Sequence, residues 1–337
     1  MNTASKSVVG IDVSKSKLDV TLLADGKQKN KVVLNTKQGY KELAKWVERQ
    51  GVQIADVHAC MESTGVYSEP VAFGLLDLGF KVSIVNPASV KGFGQSLNVR
   101  NKNDAVDACV IARFCVAIDP ALWVPPTPQL RQLRAWHERL GALKEMRQQE
   151  FNRIEALEFA EHSDVAKNVK THMAWLDEQI AKVKKDIDDL IDDDPDLKRD
   201  ADLIESIPGI ARTTAAKVLA RVGNLRRFGS AKELAAYIGV TPRQRQSGTS
   251  VRGRTTMSRM GSGELRTALY MPALTAIKRN ALLADFAVRL RSTGMAHMAV
   301  IGAVMRKLVH QMYGVIRTGK PFDPNYLAKR LAIQDGI

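Results

Sequence analysis

The sequence predicts an α/β domain of the RNase H-like class followed by a mostly helical remainder. Strand-like and helix-like segments alternate from residue 8 to about residue 120, and the proline-rich stretch "WVPPTPQ" (123–129) ends that pattern. The chain has 337 residues, 45% of them hydrophobic, which is enough for two domains with real cores. We expect an α/β domain over residues 1–125, a helical coiled-coil arm over 126–200 and a C-terminal domain over 201–337.

The elements of the first domain follow from their apolar patterns in chain order. Strands are predicted for "VVGIDV", "LDVTLLA", "KVVLN", "VHACME" and "KVSIVN", and helices for "GYKELAKWVERQG", "SEPVAFGLLDLG" and "DAVDACVIARFCVAI". The polar turn "SKSK" joins the first two strands. Antiparallel-looking strands followed by strands alternating with helices fit an RNase H-like domain better than a doubly wound nucleotide-binding fold.

The arm is predicted from a long stretch without helix-breaking residues. Between Gly141 and Pro195 there is neither glycine nor proline. Apolar residues recur at alternating steps of four and three at Leu176, Ile180, Val183, Ile187 and Leu190. A similar spacing at Leu133, Trp136, Leu140 and Leu143 then meets Arg147 and Glu150, where apolar residues are expected. We expect two long helices that form a hairpin or a coiled coil.

Two segments of the C-terminal domain are candidates for binding phosphate. In "LIESIPGIARTT", Pro208 and Gly209 form a turn before a helix, as in a helix-hairpin-helix, whose backbone N–H groups can bind phosphate. An ordinary helix–helix turn is the alternative. The stretch "RQRQSGTSVRG" (243–253) is cationic and rich in hydroxyl groups, and it has no acid or histidine to activate them. We expect it to form a loop.

The charge of the chain favours a nucleic-acid partner. The sequence has 50 Lys and Arg against 36 Asp and Glu, a formal net charge of +14. An anionic membrane surface is the rival polyanion. No apolar run approaches the ~20 residues that span a bilayer, and the N-terminus has no hydrophobic signal core, so we expect a cytoplasmic protein without a membrane partner. Three cysteines without C-x-x-C spacing predict neither a zinc ribbon nor a disulfide framework.

Four acids of the first domain are candidate metal ligands. Asp12 lies inside the first strand and Glu62 at the end of the fourth, where an unpaired charge is costly. Asp104 and Asp107 lie three residues apart at the start of a helix and therefore on one face. If the fold brings the four carboxylates together they need cations, and Mg²⁺ is suited to carboxylate and phosphate oxygens. Such a site could catalyse phosphoryl transfer.

Each of these acids also has an ordinary structural interpretation. Asp104 could cap its helix and Asp107 could be a first-turn acid, which is a common use of aspartate. Asp12 could cap the turn at Ser14, and Asp19 in the second strand shows that a strand acid need not be functional.

Several motifs together resemble the DEDD transposases of bacterial insertion sequences. In chain order they are "GIDVSKSKLDV", "MESTGVY", "VNPASVKGFGQSLNVRNKNDAVDA", "SIPGI", "YIGVTPRQRQSGTSVRG" and "LRTALYMPA". That family includes the Piv-type site-specific DNA invertases and the bridge-RNA-guided recombinases. The similarity extends from about residue 8 to residue 322.

The resemblance implies a RuvC-like N-terminal domain, a coiled-coil arm and a C-terminal transposase domain. It places the four family acids on Asp12, Glu62, Asp104 and Asp107 and the nucleophilic serine on Ser247; the residues alone do not separate Ser247 from its neighbouring hydroxyls. It further implies a covalent phosphoserine intermediate on DNA, a Holliday junction and homodimers that assemble into a homotetramer. A complete site would combine the carboxylates of one subunit with the serine of another. A bridge RNA would pair with target and donor DNA.

Basic residues around these positions are expected to bind the nucleic-acid backbone. They are Arg243, Arg245, Arg252 and Arg254 beside the serine and Lys102 near the acids. The main hypothesis is a metal-dependent DNA recombinase with a serine nucleophile. The alternatives are a RuvC-like nuclease or junction resolvase in which water attacks, an invertase without an RNA guide, a non-enzymatic nucleic-acid scaffold, and an actin-like or sugar-kinase-like ATPase.

Overall fold

A computed structural model describes residues 7–97, 103–247, 251–258 and 260–326, with the backbone alone for 244–247 and 251–254. The chain divides into two compact units, Met1–Pro125 and Pro126–Ile337. The first is mixed α/β, and the second is mostly helical with one two-stranded sheet. The mixed α/β prediction is confirmed. The separate boundary between arm and C-terminal domain near residue 200 stays a prediction.

The first unit is built on a five-stranded sheet with the strand order β3-β2-β1-β4-β5. The strands are β1 Ser7–Val13, β2 Lys17–Ala24, β3 Lys27–Leu34, β4 Val57–Glu62 and β5 Lys81–Val85. Strands β1 to β3 are antiparallel to their chain neighbours, whereas β4 runs parallel to β1 and β5 parallel to β4. These directions agree with the expected RNase H-like order.

Helices cover both faces of this sheet. They are α1 Lys37–Glu48, α2 Gly65–Asp77, α3 Pro87–Ser96 and α4 Asp104–Ile118. Residues of α1 and α2 pack with Val9 and Ile11 of β1 on one face, and α3 and α4 pack with Val8 on the other. Helix α3 was not predicted. It begins at Pro87 after Asn86, whose side chain accepts the N–H of Ala88 at 2.9 Å.

The second unit contains nine helices and two strands among its described residues. They are α5 Pro128–Phe159, α6 Ser163–Asp193, α7 Pro195–Glu205, α8 Arg212–Val222, α9 Ala231–Ile238, β6 Pro242–Ser247, β7 Val251–Met257, α10 Gly263–Ala268, α11 Tyr270–Arg279, α12 Ala281–Ser292 and α13 His297–Thr318. One apolar core runs from Leu133 on α5 to Ile316 on α13. The long helices of the predicted arm therefore share a core with the helices that follow residue 200. Coiled-coil geometry for them stays a prediction.

The two polar residues that interrupt the apolar spacing of α5 have partners on α6. Arg147 forms a two-pronged ion pair with Asp177, with its Nη2 3.1 Å from Oδ2. Glu150 accepts from His172 at 3.1 Å and also binds Arg153 at 2.8 Å. The outer part of this helix pair is therefore joined by charged contacts where the apolar pattern of α5 stops.

The prediction of a loop over residues 243–253 is wrong. Most of this segment lies in the antiparallel strands β6 and β7, where Ser247 pairs with Val251 and Arg245 with Gly253. The register shifts between Arg243 and Arg245, which marks a bulge or irregularity. A two-stranded ribbon can satisfy its backbone hydrogen bonds without a buried face. It therefore lacks the alternation of apolar and polar residues from which strands are predicted.

Candidate functional site

Asp12 lies at the end of β1, on the face of the sheet that α4 covers. Two residues earlier on the same face, a Cβ atom at Gly10 would lie 2.2 Å from the carbonyl oxygen of Ala108 and 2.3 Å from the nitrogen of Ala112. Only glycine permits this approach of α4 to the strand. The close packing brings the start of α4 towards the end of β1, where Asp12 is half-buried.

Asp104 and Asp107 lie in the first turn of α4, as the sequence predicts. The turn is held by Asn103, whose side chain accepts the N–H of Val106 at 2.9 Å. Asp104 is therefore the first helical residue and not the cap. Carboxylates are favourable at this end of a helix because of the unpaired backbone N–H groups.

The charges of these acids act on one another. Burial raises the pKa of Asp12, and the nearby carboxylates of Asp104, Asp107 and Asp19 raise it further, whereas Lys17 lowers it. Three of the four acids that the sequence singled out thus lie within electrostatic range of one another.

Glu62 approaches the same place from the neighbouring strand. It ends β4, and the parallel register pairs Ile11 with Met61, so Asp12 and Glu62 occupy the next positions along β1 and β4. In a parallel pair such positions share a face of the sheet. The contact with Cys115 and burial raise the pKa of Cys60, two residues before Glu62, and the charge of Glu62 adds to this rise. The register therefore favours the predicted grouping of all four acids, and their catalytic roles stay predictions.

Lys17 provides a positive charge inside this acid group. Its Nζ lies 2.7 Å from Oδ2 of Asp104 and 3.0 Å from Oδ2 of Asp19. Asp19 is the cross-strand partner of Asp12. A tight turn places Lys17, because the N–H and hydroxyl of Ser14 both donate to its carbonyl, at 3.0 and 2.8 Å.

The sequence reasoning missed Lys17 and used Asp19 only as an example of a non-functional strand acid. The available signal was the position of Lys17 in the turn between two strand acids. Its ion pair with Asp104 spans 87 residues, so only the tertiary structure reveals it. This contact lowers the pKa of Asp104.

The donor set fits a hard divalent cation in its chemistry. Carboxylates that raise the pKa of a half-buried neighbour are stabilised by a cation, and oxygen ligands are the ones that Mg²⁺ prefers. Within the described residues, no group of three or more His, Cys, Asp or Glu side chains is arranged to hold a metal ion. Lys17, not a closed ligand set, is the counter-charge of Asp104 and Asp19 in this arrangement.

The candidate serine lies in the second unit, at the end of β6. The ladder of this hairpin pairs Arg243 with Thr256, Gln246 with Arg252 and Ser247 with Val251. Arg243 is exposed. The side chains of Arg245, Ser247, Arg252 and Arg254 and the whole of Lys102 lie outside the described residues. The structure thus gives the backbone position of the serine and no geometry for its hydroxyl.

The turn at Pro208 and Gly209 has a packing role. Gly209 has φ of +104°, and a Cβ there would lie 2.7 Å from Cα of Ala276 on α11. Arg212, the first residue of α8, pairs with Asp192 at 2.7 Å and with Asp202 at 3.0 Å. These acids beside the N-terminus of α8 do not favour a phosphate there. Phosphate binding by Pro208 and Gly209 stays a prediction.

A serine–histidine pair in the first unit is structural and not catalytic. Nε2 of His58 lies 2.8 Å from Oγ of Ser83, and Nδ1 lies 3.7 Å from Asp119. Both His58 and Ser83 are buried, and the Ser83 hydroxyl donates to the carbonyl of Ala121 at 2.8 Å. Its proton is therefore committed to the backbone, and no substrate reaches its oxygen.

Comparisons with known proteins give the chain a family context. Residues 201–287 match the family described as "Transposase IS116/IS110/IS902 family", and residues 9–157 match DEDD_Tnp_IS110, described as "Transposase". Among the described residues no helix is long and apolar enough to cross a membrane.

Two relatives agree with these family matches. The pilin gene-inverting protein of Moraxella bovis is 34% identical over 320 residues, which cover 95% of this chain and 98% of that protein. The transposase for insertion sequence element IS1328 of Yersinia enterocolitica is 26% identical, over 60% of this chain and 66% of that protein. The structure of T. thermophilus RuvC in complex with a Holliday junction substrate matches 33% of this chain and 95% of that chain, at 15% identity and a TM-score of 0.25.

Proposed function

Because the chain belongs to the IS116/IS110/IS902 family of DEDD transposases, we propose that it cuts and rejoins DNA at the ends of a mobile or invertible segment. The observation that carries the proposal is the grouping of Asp12 and the first turn of α4 on one face of the sheet. The match over nearly the whole length of a pilin gene-inverting protein favours strand exchange over simple degradation of DNA.

The proposed cleavage is a transesterification. The hydroxyl oxygen of Ser247 attacks a DNA phosphorus, a bond from phosphorus to Oγ forms, and the bond from phosphorus to a deoxyribose oxygen breaks. The proton of the serine leaves during the attack, and the released deoxyribose oxygen gains one. No water is consumed, so the reverse reaction with a different DNA end rejoins the strand. The bond energy is kept in the phosphoserine.

A serine hydroxyl is a poor nucleophile at its own pKa, so it needs activation from elsewhere. Asp12, Glu62, Asp104 and Asp107 would hold the divalent cation, most suitably Mg²⁺, and Lys17 would offset their mutual repulsion. The cation would polarise the scissile phosphate and stabilise the entering and leaving oxygens. The arginines of the β6–β7 hairpin would neutralise phosphate charge beside Ser247.

Assembly and guidance are further parts of the proposal. The acids lie in the first unit and the serine in the second. A homodimer that forms a homotetramer could combine the acids of one subunit with the serine of another, as the family resemblance implies. A bridge RNA that pairs with target and donor DNA would supply sequence specificity by base pairing, which this chain's own residues do not specify.

The acid group by itself favours a second candidate function, hydrolysis of DNA by an activated water as in a RuvC-like nuclease. In that reaction the carboxylates would do the same work and Ser247 would not bond to phosphorus. The two candidate functions make opposite predictions for the removal of the Ser247 hydroxyl.

The test is cleavage of DNA that carries the ends of the element, with and without Mg²⁺. We expect Asp12→Asn to stop all cleavage, and Ser247→Ala to stop both cleavage and the formation of a covalent protein–DNA complex on a denaturing gel. If Ser247→Ala cleaves at the wild-type rate, the hydrolytic function replaces the proposed one. If Asp12→Asn cleaves DNA at the wild-type rate, the acid group is not catalytic and both candidate functions are overturned.

A further inference from the structure

Three buried polar atoms of the second unit have no hydrogen-bond partner among the described residues. They are Oγ1 of Thr241, Nη1 of Arg306 and Nε2 of His310. A buried polar group without a partner destabilises the folded protein, and more so if it is charged. Such groups persist in folded proteins where a ligand or water satisfies them.

Arg306 is placed close to the hairpin by its helix. A Cβ at Gly302 of α13 would lie 2.6 Å from Cε of Met257, the last residue of β7. Arg306 follows Gly302 by four residues and therefore lies on the same face of α13, one turn further along. On the other strand, Pro242 pairs with Met257, and the carbonyl of Thr241 accepts the N–H of Ser258 at 2.8 Å.

Several cations lie around His310. We call Lys232 of α9 and Arg306, Lys307 and His310 of α13 the α13 cationic cluster. Burial lowers the pKa of His310, and the charges of Arg306, Lys307 and Lys232 lower it further. Lys307 contacts the ring of Phe286, with its Nζ 5.4 Å from the ring centre. In the part of the chain that the structure describes, none of the three cations forms an ion pair with a carboxylate.

Two half-buried arginines of the same unit, in contrast, have acidic partners. Arg226 pairs with Asp200 through two contacts, and Arg212 binds Asp192 and Asp202. The charge of each of those arginines is therefore already paired with an acid. Like charges gathered around a half-buried guanidinium repel one another, and an anion between them removes that repulsion. The anion that fits several N–H donors and a lysine is a phosphate.

We propose that the α13 cationic cluster binds a backbone phosphate of DNA. The inference rests on the proposed function for its choice of ligand. One guanidinium and one imidazole N–H would donate to the phosphate oxygens, and Lys232 and Lys307 would neutralise its charge. Because Arg306 follows Gly302 by one helical turn, a DNA strand held there would pass near Met257 at the end of β7.

The test is binding of a fluorescently labelled DNA duplex to the full chain, measured by anisotropy over a range of potassium chloride concentrations. We expect Arg306→Met to weaken binding about tenfold at low salt and to reduce the slope of log affinity against log salt by about one. Lys307→Gln, at an exposed position, should reduce the slope by a similar amount. Arg306→Lys keeps the charge and should retain the wild-type slope.

The matched control is Arg291→Met, the same substitution at an exposed position in the last turn of α12, which should change neither quantity. Equal affinity and slope for Arg306→Met and Arg291→Met would overturn the inference and leave the proposed function standing. If the wild-type chain does not bind DNA at all, both are overturned. Loss of binding to a folded RNA, with DNA binding unchanged, would assign the cluster to RNA and also overturn the inference.

Discussion

The acid group and the serine hairpin are built in different ways. Asp12 lies on a strand that is packed on both faces, and Asp104 lies at the start of a helix seated against that strand through Gly10. Ser247 lies at the end of a two-stranded ribbon that pairs only β6 with β7. The proposed metal ligands, whose mutual distances must be fixed, thus lie on rigid elements, whereas the proposed nucleophile lies on a hairpin.

The two regions also differ in their electrostatics. In the acid group, burial and the carboxylates of Asp104, Asp107 and Asp19 raise the pKa of Asp12, and Lys17 offsets this rise in part. In the α13 cationic cluster, Lys232, Arg306 and Lys307 form no ion pair with a carboxylate among the described residues. The acid group therefore favours a bound cation, and the α13 cationic cluster favours a bound anion. Phosphoryl transfer uses both kinds of site.

The largest expected effect comes from removing either the hydroxyl of Ser247 or the carboxylate of Asp12. Ser247→Ala and Asp12→Asn should each reduce DNA cleavage by more than about a thousandfold, because each removes a group that the reaction cannot replace. If the acids of one subunit act with the serine of another, a mixture of the two variants regains cleavage. The measurement is a cleavage time course with single variants and the mixture.

The control for this experiment is a mixture of Ser247→Ala with the double variant Ser247→Ala/Asp12→Asn, which must stay inactive. Recovery in the first mixture alone supports a shared site. Absence of recovery, in a mixture shown to form mixed oligomers, contradicts sharing between subunits.

The next largest effect is on the packing of α4 against β1. Gly10→Ala places a methyl carbon against the backbone of Ala108 and Ala112, and we expect the free energy of unfolding to fall by about 3 kcal/mol. Chemical denaturation with urea measures it. Gly92→Ala in α3 is the matched control, because a Cβ there meets nothing within 4 Å, and it should be neutral or slightly stabilising. Equal stability of the two variants would refute the role given to Gly10.

The smallest expected effect is on the free energy of unfolding, which a charged Asp12 lowers at neutral pH. Because the pKa of Asp12 is raised in the folded protein, the contribution of this residue is fully present below the ordinary aspartate pKa and is lost as pH rises through the raised value. At neutral pH, Asp12→Asn should therefore increase the free energy of unfolding, by about 0.5 kcal/mol since the residue is only half-buried. The gain should shrink as the pH falls towards 4, roughly the ordinary aspartate value.

Thermal unfolding at several pH values measures this difference between Asp12→Asn and the wild type. The control Asp285→Asn, at an exposed acid on α12, should show no such pH-dependent gain. A loss of stability in Asp12→Asn at neutral pH would show that the folded protein favours the charged carboxylate, contrary to the account of the acid group.

Much of the first unit could be predicted from the sequence. Its strands have strong apolar patterns, and Asp12, Asp104 and Asp107 stand out because acids at strand and helix ends are recognisable. Helix α3 was missed because "KGFG" lowers its helix propensity and its cap at Asn86 was not used. The contact of Lys17 with Asp104 depends on the seating of α4, and no local pattern encodes it.

The second unit shows the opposite balance. Its long helices follow from their composition, but the hairpin around Ser247 has no apolar alternation and was predicted as a loop. The α13 cationic cluster was missed altogether, because only the packing of α9 against α13 brings Lys232 near His310. Sequence reasoning finds groups held by one element and misses groups that several elements bring together.

The most direct test of the central claim is the identity of the atom that bonds to DNA. DNA that carries the ends of the element would be cleaved by the wild-type protein with Mg²⁺, the complex digested with nuclease and protease, and the peptides examined by mass spectrometry. The account predicts a nucleotide attached to the peptide that contains Ser247, absent from Ser247→Ala and from Asp12→Asn. Cleaved DNA with free ends and no modified peptide would contradict it and show that water is the nucleophile.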